Sequence, residues 1–333
     1  MPRELAAVIR RCLDPDPARR YQSAADLAAA LAGAWQLLAA RRALPRPGKV
    51  GGFVLAHPVA AFALAGILPH VVASVVNIGY NAVNIGMNLS EEQQRAFAAV
   101  VVAYNLIAYP LCGGTAVVII RRVARWLAAL PRADGPAVDE LRRRVLRLGW
   151  WAIGLGALGW FPGGLAFPLA IDLADGPVPA STYAHFLVSF TLSGLIGVVF
   201  SYLGVQYVVL GALLPRVGNP DTFSPVAARA EVRPLTAPFG PFVLLASAIP
   251  LTGAVLLIAL ADGALTLGFR LLAAGLIGLG AFGVALAERA VKRLNRLAAV
   301  WVGTGTHNEE DGPASAPSDP RQPGLHPSSS LSS

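Results

Sequence analysis

Six stretches of this sequence run for about 20 residues or more with almost no charged side chain, at about 53–76, 97–120, 149–171, 184–211, 239–261 and 264–287. Crossing a bilayer's ~30 Å of hydrocarbon takes roughly 20 apolar residues in a helix. A helix also satisfies its own backbone polar groups where no water is present to do so. The expectation is therefore an all-α polytopic membrane protein with six transmembrane helices across 53–287. Composition agrees, with 55% hydrophobic and only 14% charged residues, against about 25% charged in soluble domains.

The basic residues alternate along the chain. Arg41, Arg42, Arg46 and Lys49 precede the first stretch, the segment 121–147 holds eight arginines, Arg216, Arg229 and Arg233 lie between the fourth and fifth, and Arg289, Lys292, Arg293 and Arg296 follow the last. The other connections carry mostly acids: Glu91 and Glu92, Asp172 and Asp175, then Asp262. Lys and Arg mark the cytoplasmic side, so both termini are expected in the cytoplasm, with the protein in the cell (inner) membrane. Lysine occurs only at 49 and 292 while alanine and glycine are abundant, a bias expected of a bacterium with a GC-rich genome.

Before the first apolar stretch, Leu5, Val8, Ile9, Cys12 and Leu13 recur at helical spacing. Asp14-Pro15-Asp16-Pro17 stops that helix, since proline lacks an N–H and restricts the residue before it. Ser23 with Asp26 three residues later forms a capping signature for a second helix. Leu27, Leu31 and Leu38, with Ala34 between them, are expected to form its apolar face.

The spaced pattern of Pro2, Leu5, Ile9, Cys12-Leu13, Asp16-Pro17, Arg20-Tyr21, Ser23, Asp26-Leu27 and Leu31 resembles the last two helices of a Ser/Thr protein kinase domain. The resemblance covers residues 2–31, and an unrelated amphipathic hairpin beside a membrane fits the same periodicity. It implies kinase-fold structural roles for Asp16, Arg20, Leu27 and Leu31. In such a fold the arginine at the position of Arg20 ion-pairs with the glutamate of an Ala-Pro-Glu motif, and no Ala-Pro-Glu occurs in this sequence. There is also no His-Arg-Asp loop, no Asp-Phe-Gly and no lysine-bearing strand. The resemblance thus implies a kinase C-lobe end without catalytic residues, binding ATP and Mg only if the missing lobes are present.

The domain expectation is a kinase remnant at 1–35, a juxtamembrane linker at 36–52, the membrane domain at 53–287, a basic juxtamembrane helix at 288–302 and a disordered tail at 303–333. The tail is rich in Ser, Pro and Gly and lacks apolar side chains for a core. A net charge of +8 is consistent with nucleic acid, but the arginines border apolar runs, so the expected partners are the bilayer and anionic lipid headgroups, with a missing kinase domain or a homodimer partner. No cofactor is expected. Cys12 and Cys112 are too few for a disulfide framework, and the five histidines show no metal-ligand spacing.

Two glycine triplets, Gly154, Gly156, Gly159 and Gly278, Gly280, Gly283, match the dinucleotide fingerprint. Phosphate binding needs a strand before the glycines and water around them, so inside apolar stretches they are expected to serve close helix packing.

Asn77, Asn81, Asn84 and Asn88, spaced four, three and four, form one amide stripe if the first span continues as a helix. At ~1.5 Å of rise per residue, His70 and Asn105 lie about 9 and 12 Å below the outer ends of their spans, and a pairing between them is expected. Such a set either holds a polar ligand or ties helices together. Two functions follow as expectations: the anchor and sensor portion of a receptor-type bacterial Ser/Thr kinase, catalytically incomplete here, or a small transporter or channel subunit that binds a polar solute at its outer face.

Overall fold

A computed structural model of the chain describes residues 1–133, 135–259 and 267–302, without the side chains of 82–88, 267–273 and a few other positions. The expected tail at 303–333, the side chains of Asn84 and Asn88, and Asp262 lie outside the described residues. The described residues are helical, with no strand among them.

The hairpin consists of α1 (Arg3–Cys12) and α2 (Ala24–Ala43). Asp16 accepts from the Ala18 N–H at 2.9 Å and caps the short turn Pro17–Arg19. Ser23 accepts from the Asp26 N–H at 3.0 Å and starts α2. A short α3 (Lys49–Ala56) leads to His57, where Pro58 opens α4 (Pro58–Asn88). The expected first span at 53–76 therefore straddles a helix boundary, because proline is favoured at the first position of a helix and unfavourable inside one.

Ser90 and Gln93 exchange hydrogen bonds as a capping box that begins α5 (Glu91–Ala108). A π-helical turn at Tyr109–Gly113, containing Pro110, joins it to α6 (Gly114–Ala129). The arginine-rich segment continues as α7 (Gly135–Leu146), after a turn at Leu130–Arg132. Next come α8 (Leu148–Trp160) and α9 (Gly163–Asp175), parted at Phe161-Pro162, and then α10 (Ala180–Val208), which runs on through a second π-turn to Arg216. The chain is completed by α11 (Pro225–Thr236), α12 (Phe239–Ala259) and α13 (Leu267–Val302).

Among the described residues five helical runs are long and apolar enough to cross a membrane: Pro58–Asn81, Glu91–Ala129, Gly135–Ala174, Ala180–Arg216 and Val226–Ile249. The expected sixth stretch, 264–287, falls partly outside the described residues. The central element is α10, which packs against α4, α8, α9, α12 and α13. Tyr202, Leu203, Val205, Leu210 and Leu213 on its second half are wholly or almost wholly buried. A second core, closer to the start of α10, gathers Phe167, Ile171, Phe186 and Phe190 with Phe97 and Tyr104 around them.

The hairpin is seated on the bundle through a different face from the one that Leu27, Leu31 and Leu38 mark. Gly33, Leu37 and Ala40 are buried against the bundle and Ala30 and Ala34 against Val8 of α1, whereas Leu31 is 42% exposed and Trp35 68%. The buried face is rotated by one residue, about 100°, from the expected Leu27, Leu31, Leu38 face. Small residues explain the choice. A Cβ at Gly33 would collide with the Pro220 carbonyl oxygen, and Leu37 fills the space beside Gly218.

Candidate functional site

The amides of α4 meet a stripe on α10. His185, Ser189 and Ser193 lie four residues apart, and the same spacing continues to Gly197 and Ser201, so the five form one inclined ridge along the helix. Facing them on α4 are Asn81, Asn77, His70 and Gly66. The outcome is a polar seam inside an apolar bundle, with Asn77, Asn81, Ser189 and Ser193 all buried.

The seam is closely bonded. Asn77 donates through Nδ2 to Ser189 Oγ at 2.9 Å and to Ser193 Oγ at 3.2 Å. Asn81 donates through Nδ2 to Asn77 Oδ1 and to Ser189 Oγ, each at 3.0 Å. Ser189 Oγ returns a bond to Asn81 Oδ1 at 3.3 Å, and His185 Nε2 lies 2.9 Å from the same oxygen. Since that oxygen only accepts, Nε2 carries the hydrogen. The His185 ring stacks on Tyr80 at 5.0 Å between centroids, which fixes its orientation.

Two turns further along, His70 occupies a second polar position. Its Nδ1 accepts from Trp160 Nε1 at 3.0 Å, and its ring lies between Gly156 of α8 and Gly197 of α10, where added Cβ atoms would press on it. Asn105 is half-buried on α5 and makes no side-chain hydrogen bond among the described residues. The expected His70–Asn105 pairing is thus replaced by His70–Trp160. Equal depth does not bring two helices together, and α4 makes its main contacts with α10. Below this, Ser201 donates to the Gly66 carbonyl at 3.1 Å. Tyr104 reaches the Gly159 carbonyl at 3.1 Å, and Gln206 is wholly buried facing Gly149.

The other candidate residues lie in the hairpin. Arg20 is exposed and donates to the Asp14 carbonyl at 2.8 Å, within its own loop. Leu27 joins Cys12 and Tyr21 around a small core of Val8, Ala30 and Ala34. The contacts that hold this unit to the bundle converge on Asp221, between α10 and α11. Arg11 Nη1 donates to Asp221 Oδ2 at 2.8 Å and Tyr21 Oη to Oδ1 at 2.7 Å. Arg41 pairs with buried Glu4 and donates to the Pro215 carbonyl at the end of the α10 run. Burial pushes the Arg41 guanidinium below its ordinary value, with Glu4 opposing.

An apolar cavity of about 260 Å³ adjoins the seam, between α4, α10, α12 and α13. Ser189, Ser193 and Tyr80 border it. Among the described residues no group of three or more His, Cys, Asp or Glu is arranged to hold a metal.

Asn77, Asn81 and His70 stand out in the sequence as polar residues of an apolar run, whereas His185, Ser189, Ser193 and Trp160 do not, and only the four-residue spacing along α10 signals the first three of these. No family model matches the chain, and no curated protein or solved structure matches it either.

Proposed function

We propose that this chain is the membrane anchor and sensor portion of a receptor-type Ser/Thr protein kinase, with α1 and α2 as the closing helices of the kinase C-lobe. One observation carries the reading most: the hairpin is fastened to the loop that leaves α10, through Arg11 and Tyr21 on Asp221. The same α10 lines the polar seam near its other end, so a change of packing there is mechanically linked to the hairpin's seat.

The kinase-like spacing of Asp16, Arg20, Leu27 and Leu31 supports the hairpin's identity, as does the exposure of Leu5, Ile9, Leu13, Leu31 and Trp35, which leaves an apolar face for further lobes to cover. In this reading α13 is the sixth crossing. Arg41, Arg142 and Arg216 gather with the hairpin, joined to Glu4, Glu231 and the Leu55 carbonyl. An excess of arginine at that end supports a cytoplasmic location for it and for both termini, facing anionic headgroups of the inner membrane.

ATP and Mg belong to the missing lobes, so the chain alone is inactive. The test is equilibrium binding of ATP to the purified protein together with a phosphorylation assay. Neither binding nor transfer is expected, and transfer by this chain would overturn the reading. The transporter reading is less well supported, because the Asn77 and Asn81 amides are engaged with serines and the adjoining cavity is apolar. Flux of a polar solute into liposomes would favour it.

A further inference from the structure

The cavity beside the seam has a chemistry of its own. Leu68, Val72, Ile196, Phe200 and Ile249 form much of its wall, and no charged side chain lines it. A cavity of about 150 Å³ lined by such residues takes up benzene; this one, at about 260 Å³, is larger and opens at the bundle surface beside the exposed Leu68, Phe282 and Leu286. Gly280 and Gly283 of α13 complete the wall.

The hydrogen bonds of the seam end at the wall of this space, at Ser189 and Ser193. Ser189 Oγ gives its hydrogen to Asn81, Asn81 gives one to Asn77, and Asn77 gives one to Ser193. Aligned donors of this kind polarise one another. Ser193, only 3% exposed, ends the chain. Among the described residues no side-chain or backbone acceptor takes its hydroxyl hydrogen, and its side chain borders the cavity. A buried donor without an acceptor is costly, so an occupant that presents an oxygen to it gains both burial and a hydrogen bond.

We propose that the cavity binds one acyl chain of a membrane lipid, with the uncharged ester carbonyl of that chain accepting from Ser193. The walls select hydrocarbon, the Ser193 hydroxyl hydrogen selects an acceptor, and the lack of any cation in the lining selects against an ionised carboxylate. This site is independent of the hairpin's identity: lipid bound without any effect on a kinase leaves it intact, and a kinase reading without bound lipid leaves it refuted.

The test reconstitutes the full chain in phosphatidylcholine nanodiscs containing a small fraction of phosphatidylcholine with a diazirine in one acyl chain. After photolysis, labelled peptides are mapped by mass spectrometry. Labelling at Ile196 and Phe200 should exceed that at the exposed positions Leu106 and Ile107 several-fold. Ala246→Phe, which fills the cavity, should abolish the excess. Ser193→Ala should reduce it roughly three- to tenfold, the loss of one hydrogen bond. Cavity labelling no greater than at Leu106 and Ile107, or an excess unchanged by Ser193→Ala, overturns the proposal. Should Ala246→Phe fail to fold, those two measurements decide it alone.

Discussion

Replacing Asn81 by alanine should destabilise the α4–α10 pair by about 3 kcal/mol, and the structure shows where that figure comes from. Asn81 makes three contacts of 3.0 Å or less: to Asn77 Oδ1, to Ser189 Oγ and from His185 Nε2. Hydrogen bonds between membrane helices contribute about 0.6 kcal/mol each, so their loss accounts for about 2 kcal/mol. The His185 N–H, held in place by its stack on Tyr80, is then left without its acceptor, at a further cost of at least about 1 kcal/mol. The assay is reversible unfolding in mixed micelles followed by tryptophan fluorescence. A double-mutant cycle with Ser189→Ala should give a coupling of about 0.6–1.7 kcal/mol. A loss below about 0.5 kcal/mol, as for an ordinary surface substitution, with no coupling, would refute the view that this seam binds the helices together.

Two glycines of the same bundle should respond in opposite ways. Gly197→Val drives a side chain into the His70 ring and should prevent assembly of a stable bundle, whereas Gly79→Val meets open space and should leave the unfolding midpoint unchanged. Gly33→Val should unseat the hairpin, because its Cβ occupies the place of the Pro220 carbonyl oxygen; limited proteolysis between residues 1 and 45 reads this, and unchanged resistance would count against the docked face. Docking should also weaken in alkali. Burial, with the hydrogen bond to Asp221, raises the Tyr21 hydroxyl above its ordinary 10.0. A raised acid favours its neutral form when docked, so this contribution is complete below pH 10 and is lost as pH rises through the raised value. Asp221→Asn should shrink that dependence, as measured by hydrogen exchange in α1.

The helical class was legible because each apolar run exceeds the length that a bilayer demands, and the caps at Ser23 and Ser90 are local signals. The seat of the hairpin was not legible. Leucine marks burial only against a partner able to receive it, and here the partner is a backbone turn that demands Gly33 at Pro220 and admits Leu37 beside Gly218. The amides of the seam were visible because polar groups are conspicuous in an apolar helix. Their partners were less so, since serine is unremarkable in membrane helices until its four-residue spacing beside His185 is noticed. Trp160 as partner of His70 depends on the break at Phe161-Pro162 and on which helices adjoin, and spacing within one helix carries no information about either.

The kinase reading is tested most directly by determining the DNA that precedes the codon for Met1 in its source. An open frame there, in phase or displaced by one base, that encodes Asp-Phe-Gly followed by Ala-Pro-Glu is the predicted result, since it would supply the glutamate that Arg20 lacks and the lobes that cover Leu31 and Trp35. A preceding sequence that encodes no such motifs would contradict it, leaving α1 and α2 as a hairpin that belongs to the membrane bundle alone.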